Sequence, residues 1–157
     1  MWIYRVLDPA NPSAIELLLL RRAPGRPLPG LWQCVTGRIE PGERVAIVAL
    51  RELGEETGIS GDAIEAFYDM DLVSQFHWPD ADGLLSEVVF AVRVRPGTEA
   101  ILSHEHDASR WVDPDEAIRA SVWPSYREAV DRIATILPDP ERAIWLQTGL
   151  DGRRLKQ

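Results

Sequence analysis

The amino-acid sequence predicts an α/β layered domain in which helices cover a mixed sheet. Three observations carry that expectation. Runs rich in β-branched and aromatic residues occupy the start and middle of the chain, one strongly amphipathic helical segment lies between them, and two helix-start signatures follow them.

Residues 2–7 and 15–22 are β-rich and flank Asp8-Pro9-Ala10-Asn11-Pro12, a cluster of turn formers, so they form a strand pair. The stretch Ala23-Pro24-Gly25-Arg26-Pro27-Leu28-Pro29-Gly30 blocks both helix propagation and sheet pairing and reads as a loop. Ala46, Ala49, Leu50 and Leu53 fall on one stripe at helical spacing, which predicts a helix over 44–57 with Gly58 as its stop. Residues 64–78 and 84–94 read as two longer strands joined by a turn at Pro79-Asp80-Ala81-Asp82-Gly83. Asp113-Pro114-Asp115-Glu116 and Ser125-Tyr126-Arg127-Glu128 each place a capping residue three before a Glu, so each opens a helix. Pro138-Asp139-Pro140 ends the second, and residues 151–157 form a polar tail with no apolar period to fix it. Residues 1–150 are therefore read as a single domain, without repeats or an interdomain linker.

Composition narrows the partners. The 157-residue chain is 45% hydrophobic and 27% charged, ordinary for one globular core. Its 17 Lys and Arg against 25 Asp and Glu leave a net charge of −8, which opposes a broad grip on a nucleic-acid polymer or an anionic membrane. An anionic small substrate would need a cation beside it. The apolar run from Ile15 to Leu20 is far short of the roughly 20 residues of a membrane span, and the N-terminus has no signal-peptide pattern. Cys34 is the only cysteine, which suits a reducing compartment, the cytoplasm. Apolar positions such as Val48, expected at the surface, fit either an interface or tolerated exposure, hence a monomer or a homodimer.

Glu52, Glu55 and Glu56 crowd the predicted helix at spacings where like charges repel, at the edge of its apolar stripe. Such a cluster is either a solvated acidic face or a seat for a hard divalent ion, and Mg²⁺ uses few protein carboxylates while leaving positions for phosphate oxygens. The surroundings favour the second reading. Gly37-Arg38-Ile39-Glu40-Pro41-Gly42-Glu43 leads, after seven further residues, into Arg51-Glu52-Leu53-Gly54-Glu55-Glu56-Thr57-Gly58-Ile59. This resembles the Nudix box at every defined position.

The resemblance implies the Nudix fold, an α/β/α sandwich with a mixed β-sheet, and hydrolysis of a phosphoanhydride bond with Mg²⁺ or Mn²⁺. By position, Glu52 and Glu56 would be the principal ligands, Glu55 a third or water-mediated one, and the carbonyl of Gly37 another oxygen. Glu43 lies nine residues before Glu52, which places it on the opposite side if the helix is continuous from there. The family implies that Glu43 and Arg51 orient the loop and helix; the alternative for Glu43 is an acid stabilised by the helix dipole. Glu105, in the polar segment Ser103-His104-Glu105-His106-Asp107, is the candidate proton acceptor, and the alternative is a solvated loop acid. His104 and His106 lack the further ligands a zinc site needs and read as pocket or surface residues.

The segment Leu31-Trp32-Gln33-Cys34-Val35-Thr36-Gly37, with Glu105-His106, Trp111-Val112-Asp113 and Trp123-Pro124-Ser125-Tyr126-Arg127-Glu128-Ala129, resembles the dihydroneopterin triphosphate pyrophosphatases, which also act on dATP. That narrower likeness implies a nucleotide or pterin triphosphate cleaved to monophosphate and pyrophosphate. Trp32 would then stack on the ring system and Arg127 face the phosphates; the alternatives are core packing for Trp32 and an ion pair for Arg127. Hydrolysis of ADP-ribose or another nucleoside diphosphate derivative, and a catalytically silent nucleotide-binding module, are the competing readings. The complete acid set counts against the silent module.

Overall fold

The computed structural model describes residues 1–79 and 82–155. Its strands are β1 (Trp2–Asp8), β2 (Asn11–Arg22), β3 (Trp32–Gln33), β4 (Ile64–Trp78), β5 (Gly83–Val94), β6 (His106–Val112) and β7 (Gln147–Thr148). Its helices are α1 (Val45–Thr57), α2 (Pro114–Ala120), α3 (Pro124–Ile136) and α4 (Pro140–Leu146), with a short 3₁₀ turn at Gly61–Ala63. The strands form one seven-stranded sheet in the order β3–β2–β1–β5–β4–β7, with β6 also pairing with β2. β1 runs parallel to β5 and the other pairings are antiparallel, so the sheet is mixed, as expected.

Side chains alternate across a strand, and here each parity meets its own helical layer. Trp2, Tyr4, Leu17 and Leu19 pack with Ala117, Tyr126, Ala129 and Ile133 on the α2–α3 side. Ile3, Leu18, Leu20, Phe67 and Val92 pack with Leu53 and Ile59 on the α1 side. The uninterrupted Leu17–Leu20 run is apolar because both faces of β2 are covered. The result is the expected α/β/α sandwich. Among the described residues, no helix is long and apolar enough to cross a membrane.

α1 matches its expected span, and Gly58 closes it in the left-handed region at φ 68°. Its inner side is wider than the sequence stripe. Val48, expected to be exposed, is buried at 4% and lines a cleft instead. It therefore offers no surface for an interface.

Other boundaries moved for local reasons. β2 begins at Asn11, since the Asp8 carboxylate accepts the Ala10 amide at 2.8 Å and tightens the turn. α3 starts at Pro124, with Trp123 rather than Ser125 in the capping position and no side-chain cap; Pro at the first helical position needs none for its missing N–H. Pro138-Asp139-Pro140 ends α3 and also starts α4, where Asp139 accepts the Glu141 amide at 2.9 Å. The tail is tied by its backbone: Gly149 donates to the Arg153 carbonyl at 2.8 Å and Thr148 bridges Arg154. Lys156 and Gln157 of that tail, and Asp80 and Ala81 of the expected β4–β5 turn, lie outside the described residues.

Candidate active site

The loop between β3 and α1 and the segment before β6 converge on the C-terminal half of α1. The backbone carbonyls of Glu56 and Thr57 accept from the amides of Ser103 (3.1 Å) and Ile101 (2.8 Å), which lays residues 101–106 along the end of the helix. Glu105 thereby comes close enough to Glu56 to disfavour its charge, and His106 Nδ1 lies 3.7 Å from Glu56 Oε2. His104 is exposed and His106 buried, so the two histidines do not share a site.

Glu56 is 3% exposed, and its Oε2 has no hydrogen-bond partner. Burial, aided by the charges of Glu52 and Glu105 and opposed by the Met1 amino group and the Thr36 amide, pushes its carboxyl up to about 8. Burial also raises Glu52, against the pull of Arg51 and of the Arg38 amide. A Cβ on Gly37 would overlap the Glu52 side chain, so only glycine lets the loop lie against that carboxylate. Glu55 is mostly exposed.

Arg51 holds this acidic face together. Its guanidinium lies 3.0 Å from both Glu52 and Glu55 and 3.6 Å from Glu43. α1 begins at Val45, so the opposite-side argument for Glu43 does not apply. The Glu43 carboxylate reaches Arg51 and the Glu40 amide, the latter at 2.7 Å, and not the helix amides. A buried carboxylate oxygen without a partner, a second carboxylate beside it and a glycine-lined approach fit a hard divalent cation. Among the described residues no three His, Cys, Asp or Glu side chains are grouped so as to hold a metal ion by themselves.

Two adjoining clefts lead from this face. One, of about 110 Å³, is walled by Gly37, Val45, Val48 and Glu52. The other, of about 150 Å³, is walled by Arg22, Gln33, Phe76, Trp78 and Trp123. Thr36, Glu87 and Tyr126 line both. Glu105 faces Arg22 at 3.1 Å and Arg26 at 3.7 Å, two cations that no sequence motif singled out. Burial and Arg22 lower the His106 imidazole, against the pull of Glu105 and Asp107. Burial raises Glu87.

Trp32 and Arg127 line neither cleft. The Trp32 ring lies under Arg110, whose guanidinium carbon is 4.4 Å from the ring centroid, and near Arg21 at 5.8 Å. It is half-buried against the core, as in the packing alternative. Arg127 donates from Nε to the Ser121 carbonyl at 2.9 Å, a bond that secures the α2–α3 connection.

The NUDIX domain family model matches residues 2–133. The chain is 41% identical over 129 residues to an octanoyltransferase of Myxococcus xanthus, covering 81% of this chain and 34% of that protein. It thus spans about a third of that curated relative's length. It is 36% identical over 118 residues to the asymmetrical bis(5'-nucleosyl)-tetraphosphatase of Sus scrofa, covering 72% of this chain and 74% of the other. Its fold is similar to that of the E. coli dihydroneopterin triphosphate pyrophosphohydrolase, with a TM-score of 0.69 and 22% identity, covering 85% and 92% of the two chains.

Proposed function

Because the chain belongs to the NUDIX domain family, we propose that it is a divalent-metal-dependent pyrophosphohydrolase of a small nucleoside-type triphosphate, giving a monophosphate and pyrophosphate. The observation that carries this reading is the buried, unpartnered oxygen of Glu56 beside Glu52 at the end of the helix of the family's motif.

In this reading Glu52, Glu56 and the Gly37 carbonyl would hold Mg²⁺ or Mn²⁺, with Glu55 at the periphery. An ion held there would offset the polyphosphate charge and make the phosphorus more electrophilic. Arg51, tied to Glu43, Glu52 and Glu55, keeps the carboxylates aligned with the loop. Arg22 and Arg26 bind phosphate oxygens, and their transfer to the substrate releases Glu105 to take the proton of the attacking water. A dATP or dihydroneopterin triphosphate fits the sequence likeness, and the cytoplasm suits the lone thiol of Cys34. The partners are small molecules, and the protein is a monomer or a homodimer.

A second reading, cleavage of a dinucleoside polyphosphate, is favoured by the 36% identity to the Sus scrofa tetraphosphatase. Incubation with dATP, dihydroneopterin triphosphate, ADP-ribose and a dinucleoside tetraphosphate, each with Mg²⁺ in isotopically labelled water, separates these outcomes. Release of labelled product from a triphosphate supports the first reading; an enzyme that leaves every triphosphate intact refutes it.

A further inference from the structure

The cleft away from the carboxylates has the composition of a ring-binding site. On the outer part of the β4–β5 hairpin, Ser74, Phe76 and Trp78 share one face by strand alternation. Phe76 pairs with Leu85 and Ser74 with Glu87, so Glu87 lies one step along that row. Phe76 and Trp78 meet at 6.3 Å between centroids with a 62° tilt. Trp123, before α3, lines the same cleft and meets Tyr126 at 5.4 Å. Aromatic walls from two separate elements favour a flat, polarisable ligand over a flexible aliphatic one.

Size and connection limit what part of a ligand it takes. At about 150 Å³ the cleft is smaller than the roughly 300–1,000 Å³ that encloses a whole drug-sized molecule. It suits one ring system, the remainder continuing past Thr36, Glu87 and Tyr126 into the cleft beside Glu52. Glu87 is the only carboxylate that lines the aromatic cleft among the described residues, and Ser74 Oγ donates to it at 3.4 Å. An ionised carboxylate only accepts hydrogen bonds and has capacity for several donors.

We propose that this cleft binds the base of the nucleotide substrate between Phe76, Trp78 and Trp123, and that Glu87 selects bases bearing an exocyclic amino group by accepting its N–H. The inference rests on the nucleotide reading above. It assigns Glu87 a specificity role and predicts discrimination against bases that carry a carbonyl at the same ring position. A carbonyl there would face the carboxylate oxygen to oxygen, and losing a charge-assisted hydrogen bond costs on the order of 10- to 100-fold.

The test uses matched pairs, ATP with ITP and CTP with UTP, which differ in that group and in the proton on the adjacent ring nitrogen. Turnover is measured with Mg²⁺, and binding of AMP and IMP in EDTA is followed by tryptophan fluorescence. The expected result is a kcat/KM and a binding preference of at least about tenfold for the amino member, falling to within about threefold in Glu87→Gln, whose amide also donates. Phe76→Ala and Trp78→Ala, on the outer hairpin and checked for folding by circular dichroism, raise KM for both members by about tenfold. Equal use of both members, an unchanged preference in Glu87→Gln, or unaltered KM in both aromatic variants overturns the proposal. If AMP is preferred over IMP in EDTA while no triphosphate is hydrolysed, the cleft assignment stands and the hydrolase reading falls.

Discussion

Replacing Glu56 by Gln keeps the side-chain shape and removes the charge that the fold finds hardest to bury. The unfolded carboxyl titrates near 4.5 and the folded one at about 8, so between those values the folded state holds the extra proton. Stability from this group is therefore complete below pH 4.5 and falls as pH rises through 8, the reverse of an ordinary surface carboxylate. At pH 7 the metal-free penalty is about 3 kcal/mol, at 1.36 kcal/mol per unit. Gln carries none of it, so metal-free Glu56→Gln melts higher than wild type at pH 7, by roughly 5–10 °C. Its advantage shrinks toward pH 5. Adding Mg²⁺ reverses the order, because a cation that neutralises Glu56 stabilises wild type and has little to hold in the variant. Thermal melts from pH 5 to 8.5, with EDTA and with Mg²⁺, measure both effects. Wild-type and variant curves that stay parallel over that range, or equal stabilisation of both proteins by Mg²⁺, would refute the account of Glu56 as a buried charge awaiting a cation.

The same geometry predicts other perturbations. Gly37→Ala drives a Cβ into Glu52, and a drop in kcat of at least about 100-fold is expected with little change in melting temperature, since the residue lies on an exposed loop. Arg51→Ala leaves Glu43, Glu52 and Glu55 without their shared cation; the metal-free protein should melt lower and gain more from Mg²⁺ than wild type does, a comparison made by titrating the ion during thermal melts. Glu105→Gln should lower kcat by about 10²- to 10³-fold, and a wild-type kcat in the variant would remove Glu105 from proton transfer. Leu53→Ala, at a fully buried position of the α1 core, should cost about 3–5 kcal/mol in urea denaturation.

What the sequence determined by itself was whatever depends on near neighbours along the chain. The α1 stripe, its stop at Gly58, the long β4 and β5 strands and the Asp113 cap could all be read because helix and strand periods, caps and turns act over a few residues. The spacing of Glu52, Glu55 and Glu56 likewise exposed the acidic face before any fold was known. The short α4 and the two-residue β7 could not be read, since neither is long enough to show a period. Tertiary structure alone decided that Arg22 faces Glu105 across 83 positions, that Val48 turns inward, and that Phe76 and Trp78 share a cleft with Trp123. It also placed Trp32 against Arg110 and tied Arg127 to Ser121. These neighbours meet because strand pairing and layer packing close long loops, and the residues that will touch carry no common local pattern to mark them beforehand.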